Sequence, residues 1–199
     1  MQLMAMFAMD PPVEFRAEDL RDEKLKVLRA VKPMPRDEVA ANTVRGQYVS
    51  GWVEGEKLQS YRDEPEVAPD SQTETFVALR LSIDSWRWAG VPFYLRSGKA
   101  MPSRVTEIAV QFKQAPLALF ARAGVPQIEP NVLAIRVQPD EGILLRFGAK
   151  VPGQGLQIRT VNMDFRYGSS FAVDSPDAYE TLLLDAMIGD ASLFTRDDE

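Results

Sequence analysis

Apolar positions along the chain change spacing twice. Residues 1–9, MQLMAMFAM, are apolar almost throughout, with Leu3, Met6 and Phe7 at helical spacing, and Pro11 and Pro12 stop the pattern. Leu20, Lys24, Val27, Leu28 and Val31 then share one face of a helix predicted over 19–31, with the lysine as its single polar member and Asp22 and Lys26 spaced for an i,i+4 pair. From residue 43 the period shortens towards two. TVRGQYV (43–49), ETFVALRLSI (74–83), VPFYLR (91–96), TEIAVQFK (106–113), NVLAIRVQP (131–139), GILLRFGAKVP (142–152) and LQIRTVNMDFRYG (156–168) read as strands, and Asp140-Glu141-Gly142 reads as a hairpin turn. Residues 54–72, rich in Glu, Asp and Pro, are expected to be an exposed loop. A last helix is predicted over 175–190. Ser175 is its N-cap, Pro176 and Asp177 suit its first turn, and Gly189 is its stop. Tyr179, Leu182, Leu183, Ala186 and Met187 form its stripe. Helices, then strands, then a helix predict one α+β domain over 1–199: a large, mostly antiparallel sheet with helices packed on one face.

Composition narrows the chemistry. The 199 residues carry a net charge of −6 and contain no cysteine and no histidine. Disulfides, thiolate metal sites, thiol nucleophiles and every histidine-based triad are excluded. The acidic balance argues against nucleic acid as a partner. No apolar run reaches the roughly 18 residues of a membrane span, and the apolar start lacks a basic leader region, so the cytoplasm is the expected location. No Walker A motif is present, and GQGLQI (153–158) lacks the third glycine of a dinucleotide turn and runs into a strand. No metal is expected.

Against this acidic background, VPFYLRSGKAMPSR (91–104) gathers Arg96, Lys99 and Arg104 around Gly98. A glycine bend here would let the Lys99 ammonium and the Arg104 guanidinium meet over one phosphomonoester dianion. Solvated cations at a strand end are the plain alternative. Arg136 and Gln138, two apart in IRVQP, project to one face of their strand. Gln138 there can hydrogen-bond a sugar hydroxyl or simply face water. Asp164 and Arg166 read as a structural ion pair, and Trp52, Trp86 and Trp88 as core or interface anchors.

RDEKLKVLRAVKP, NTVRGQY, S-x-TETFVALRL, WAGVPFYLRSGKAMPSRVTEI, IRVQPDEG and PDAYETLLLDAMIGD together closely resemble the glucose-6-phosphate dehydrogenase family. The resemblance runs in order through the chain and falls on the C-terminal, substrate and dimer domain. The NADP-binding Rossmann domain of the family has no counterpart here. The resemblance implies that Lys99 and Arg104 bind the phosphate and sugar of glucose 6-phosphate and that Gln138 lines the same pocket. It implies NADP as cofactor, bound mainly by the missing domain, and a place at the entry to the pentose phosphate route of glucose metabolism. It implies a homodimer or larger assembly through the sheet face.

The resemblance also implies what lies outside the chain. The family's base is a histidine on the helix that residues 1–9 would continue, expected just before Met1. On this reading the chain alone binds sugar phosphate weakly and turns nothing over. Some members hold a second, structural NADP⁺, and Arg96, Arg136 and Asp164 match positions used there. Val105, Ala109 and Leu144 stand where those members carry basic or aromatic residues, so no such nucleotide is expected. The alternative function is a non-catalytic module that assembles through its sheet face.

Overall fold

A computed structural model of the chain describes residues 1–114, 128–153, 155–171 and 178–199. The chain forms two compact units. One comprises residues 1–102 and 176–199, the other residues 103–175.

The first unit begins with two helices, α1 (Gln2–Ala8) and α2 (Ala17–Ala30). Met4, Ala5 and Ala8 are the buried residues of α1, whereas Leu3 and Met6 stay exposed, so the helix turns a different face inward from the one expected. With apolar side chains at every position but Gln2, periodicity could not select that face, and packing selected it. On α2 the expected face is right in outline. Lys24 and Val27 are buried and Leu25 joins them, while Lys26 pairs with Glu23 at 2.6 Å rather than with Asp22. Met4, Ala5, Ala8, Val27 and Ile83 form the core, against which Leu28, Trp88, Phe93 and Leu95 pack. The Trp88 indole N–H donates to the Ala8 carbonyl at 2.8 Å, satisfying an acceptor left free at the end of α1. Trp52 and Trp86, in contrast, stand in solvent and anchor no core.

After α3 (Val39–Asn42) comes β1 (Thr43–Gly46), then a short hairpin of β2 (Gly51–Val53) and β3 (Glu56–Leu58). Its two-residue turn places Glu54 at φ 51° and Gly55 at φ 87°, the left-handed pair that matches the twist of the flanking strands. β4 (Phe76–Ser82) and β5 (Pro92–Gly98) complete an antiparallel sheet in the order β1-β4-β5. The segment between β1 and β4 is tied down by polar contacts. Gln47 Nε2 donates to the carbonyls of Ser71 (2.9 Å) and Thr73 (2.8 Å), Arg62 Nε donates to Gln47 Oε1 (3.0 Å), and the Tyr48 hydroxyl donates to Glu64 (3.3 Å). Desolvation and the Glu64 carboxylate hold that hydroxyl's pKa above its ordinary 10.

The second unit is a four-stranded antiparallel meander of β6 (Thr106–Gln111), β7 (Val132–Gln138), β8 (Gly142–Lys150) and β9 (Ile158–Arg166). Alternation along β6 is as expected, with Ile108 and Val110 turned inward of Glu107 and Gln111. Asp140 and Glu141 do form the β7–β8 connection, Arg136 facing Gly142 across it. GQGLQI leads into β9, not into a helix. α4 (Tyr167–Phe171) follows, where Phe165, Tyr167 and Phe171 bring their rings to centroid distances of 5.0, 5.7 and 6.3 Å.

α5 (Ala178–Ile188) returns to the first unit and ends at Gly189, whose φ is 78°. The proposed cap residues Ser175, Pro176 and Asp177 lie outside the described residues. The expected stripe is not a buried face: Tyr179, Leu183 and Met187 are all more than half exposed, as are Leu184 and Ile188. Glu180 and Asp185 fall on different sides of the helix among otherwise mostly apolar residues, so no single stripe is set apart as inward. The class is thus α+β with antiparallel strands, and the strands divide over three hydrogen-bonded sheets. Among the described residues no helix is long and apolar enough to cross a membrane.

Candidate functional site

Lys99 is the first residue beyond β5, in the first unit, and its side chain is exposed. Gly98, expected to bend the chain, pairs in register with Phe76 and takes no positive φ. Its missing side chain serves packing: a Cβ would lie 2.9 Å from Phe76 Cδ2 and 3.1 Å from Met101 Sδ. The left-handed residue is Ala100, at φ 54°. Strand pairing on one side and this turn on the other therefore fix where Lys99 leaves the sheet.

Thr75 sets the other end of that constraint. Its N–H donates to the Gly46 carbonyl (2.9 Å), its Oγ1 accepts the Tyr48 N–H (3.0 Å), and its carbonyl accepts the Lys99 N–H (2.8 Å). One residue thus joins the chains leaving β1 and β5. Sequence reasoning passed over it, because the TETF stretch announces a strand and not a junction.

Arg104 and Gln138 belong to the second unit. Gln138 faces Thr106, two residues beyond Arg104, so both sit at one end of the β6–β7 pair. The register slips between Thr106 and Glu107, which face Gln138 and Arg136 and leave Val137 without a counterpart. That bulge falls between Arg136 and Gln138, which face the adjacent residues Glu107 and Thr106, so the two do not share a face as their spacing predicted: the extra residue Val137 shifts the alternation by one. Arg104 and Gln138 are both exposed. Among the described residues neither Lys99 nor Arg104 is in an ion pair with a carboxylate, unlike Arg136, Arg166 and Arg196.

Arg136 is committed elsewhere. Its Nη1 lies 3.5 Å from Asp164 Oδ1, and Arg166 Nε lies 3.1 Å from Asp164 Oδ2. The Asp164–Arg166 ion pair is as expected, and Arg136 completes a three-residue group across β7 and β9. Arg96 lies in the first unit, on β5 opposite Ala78. Among the described residues no three Asp or Glu side chains gather into a metal site.

Comparison with known proteins gives a consistent result. Residues 1–199 match the family described as "Glucose-6-phosphate dehydrogenase, C-terminal domain". The chain is 51% identical over 198 residues to glucose-6-phosphate 1-dehydrogenase of Aggregatibacter actinomycetemcomitans, covering 100% of this chain and 39% of that protein. It is 53% identical over 195 residues to glucose-6-phosphate 1-dehydrogenase 2 of Mycobacterium bovis, covering 98% and 37%. A solved structure of glucose-6-phosphate dehydrogenase in complex with its substrate glucose-6-phosphate superposes with a TM-score of 0.83 at 39% identity, covering 99% of this chain and 39% of that one. The enzyme from Mycobacterium avium superposes with a TM-score of 0.78 at 38% identity, covering 99% and 38%. The chain thus spans about two fifths of the length of the relatives it matches.

Proposed function

Because the chain belongs to the glucose-6-phosphate dehydrogenase C-terminal-domain family, we propose that it is the part of a cytoplasmic, NADP-dependent glucose-6-phosphate dehydrogenase that holds the sugar phosphate. The observation that carries this reading is the pair of exposed cations, Lys99 and Arg104, that no carboxylate neutralises among the described residues. Lys99 supplies a point charge and Arg104 a planar fork, which together suit a phosphomonoester. Gln138, at the same end of the β6–β7 pair as Arg104, donates or accepts a hydrogen bond from a sugar hydroxyl.

The reaction removes a hydride from C1 and a proton from the C1 hydroxyl, leaving the lactone. NADP⁺, held mainly by the domain that precedes this one in the relatives, supplies the hydride acceptor when bound. This chain's own task is to fix the phosphate end so that C1 is presented in one orientation. A second, structural nucleotide does not fit the residues described: Val105, Ala109 and Leu144 offer neither charge nor ring, and Arg136 is engaged with Asp164.

Titrating glucose 6-phosphate into the chain tests the reading. Weak binding is expected, lowered about tenfold or more by Lys99→Ala or Arg104→Ala, since a hydrogen bond to a charged group is worth ~1.5–3 kcal/mol. Glucose 6-phosphate with NADP⁺ should give no reduced nucleotide. Unchanged affinity in both variants would overturn the phosphate assignment.

One observation favours a second role beside the first. Met163 on β9 and Phe171 on α4 are each 62% exposed, and Phe171 stacks against the half-exposed Tyr167. An apolar sheet face of this kind supports self-association, in keeping with a homodimer or larger assembly.

A further inference from the structure

We infer that Thr75 is a positioning residue for Lys99, and that the polar segment between β1 and β4 sets phosphate affinity through it; the inference rests on the assignment of Lys99 to the phosphate. Three chains meet at Thr75. It continues the ladder by one rung on each side, giving its N–H to Gly46 at 2.9 Å and taking the Lys99 N–H at 2.8 Å. Its hydroxyl adds a third bond, from the Tyr48 N–H at 3.0 Å. Residues 47–75 then hold Thr75 from behind. The Gln47 side chain bonds the Ser71 and Thr73 carbonyls, and Arg62 bonds Gln47 in turn. These bonds hold the segment that leads into Thr75, whose carbonyl accepts the Lys99 N–H.

Lys99 needs such a partner. Its ammonium rides on a flexible four-carbon stem, so its reach is set by where its Cα sits and how its backbone is turned. On the far side Ala100 holds a left-handed conformation that alanine seldom adopts. Without the Thr75 bond that turn would relax, and the Lys99 side chain would sample a wider cone. The loss would appear as weaker binding of the anion, with the cation itself intact.

The test uses the 199-residue chain, with glucose 6-phosphate and inorganic phosphate as probes, followed by NMR titration and by amide hydrogen exchange at Lys99. Thr75→Val removes the hydroxyl and keeps the shape. It should raise Kd for glucose 6-phosphate and speed exchange at the Lys99 amide, each about three- to tenfold, because losing the part-buried bond from the Tyr48 N–H loosens the junction whose carbonyl still accepts the Lys99 N–H. Thr75→Ser should restore both. Lys99→Ala is the control for the underlying assignment. If Lys99→Ala weakens binding while Thr75→Val changes neither Kd nor Lys99 exchange, the positioning role is overturned and the phosphate site stands. If Lys99→Ala leaves Kd unchanged, the site assignment fails and the inference falls with it. Should Thr75→Val not fold, Gln47→Met decides the matter: the same shifts in smaller measure support the role, and unchanged Kd and exchange overturn it.

Discussion

Lys24 on α2 lies 3.2 Å from Glu199, the last residue of the chain, and both side chains are almost wholly withdrawn from solvent. Gln2 bridges them from α1, accepting from Lys24 at 3.2 Å and donating to Glu199 at 2.7 Å. The two helices and the terminal segment are thus joined by one buried polar group, with the ion pairs of Arg196 to Glu18 and Asp22 and of Arg29 to Asp198 more exposed around it. Lys24→Ala would leave a buried carboxylate without its cation, and a loss of about 3 kcal/mol is expected in urea unfolding. Lys24→Met together with Glu199→Leu should recover most of it.

Gly98 and Ala100 make opposite predictions two residues apart. Gly98→Ala drives a Cβ against Phe76 and Met101 and should cost about 1–2 kcal/mol. Ala100→Gly removes the strain of a positive φ and should raise stability by up to ~1 kcal/mol. Thermal melting of the two variants beside the parent chain checks both signs.

Acid should modestly weaken the first unit at its terminal segment, where the shifted carboxylates are exposed and screened. Hydrogen bonds from Arg196 hold Asp198 below its ordinary 3.8, and the Ser192 hydroxyl and N–H do the same for Asp190. Arg196, bonded to Asp198 and Asp22, is raised in turn. A carboxylate with a depressed folded pKa contributes stability above its unfolded value, and the contribution is lost as pH falls through the folded one. Melting temperature should therefore be flat from about pH 5 to 7 and fall below about pH 4. Arg196→Met should flatten part of that fall.

Phosphate binding by Lys99 and Arg104 should weaken with salt, since both cations are exposed. Lys99→Glu should abolish it, whereas Lys99→Arg should retain much of it. Phosphate-induced shifts at low and at physiological ionic strength measure the effect.

Self-association should respond to one charge on the exposed apolar face of β9. Met163→Lys should shift the chain towards monomer in equilibrium sedimentation. An unchanged distribution would place the contact elsewhere.

Much of the second unit was legible because its strands alternate and its β7–β8 turn carries Asp-Glu-Gly. Local pattern determines local pairing there. The helices were harder. α1 is apolar nearly all round, and in α5 the two carboxylates, Glu180 and Asp185, sit on different sides, so in neither does a period select one face. Lys24 looked like a blemish on an apolar stripe, since its partner lies 175 residues away. Charge and spacing make Lys99 and Arg104 candidates for the phosphate, whereas nothing in the sequence draws notice to Thr75. Its role comes from backbone bonds that any residue type could make, with only one hydroxyl to mark it.

The three tryptophans report on different parts of the molecule. Trp88 is tucked against Phe7 and Phe93 at ring centroid distances of 5.9 and 5.2 Å, while Trp52 and Trp86 stand in water. Emission from the chain should accordingly separate into a bluer component that acrylamide quenches less and a redder one it quenches readily. The blue component alone follows the closure of α1 onto β5, so fluorescence gives a direct optical readout of whether that packing has formed.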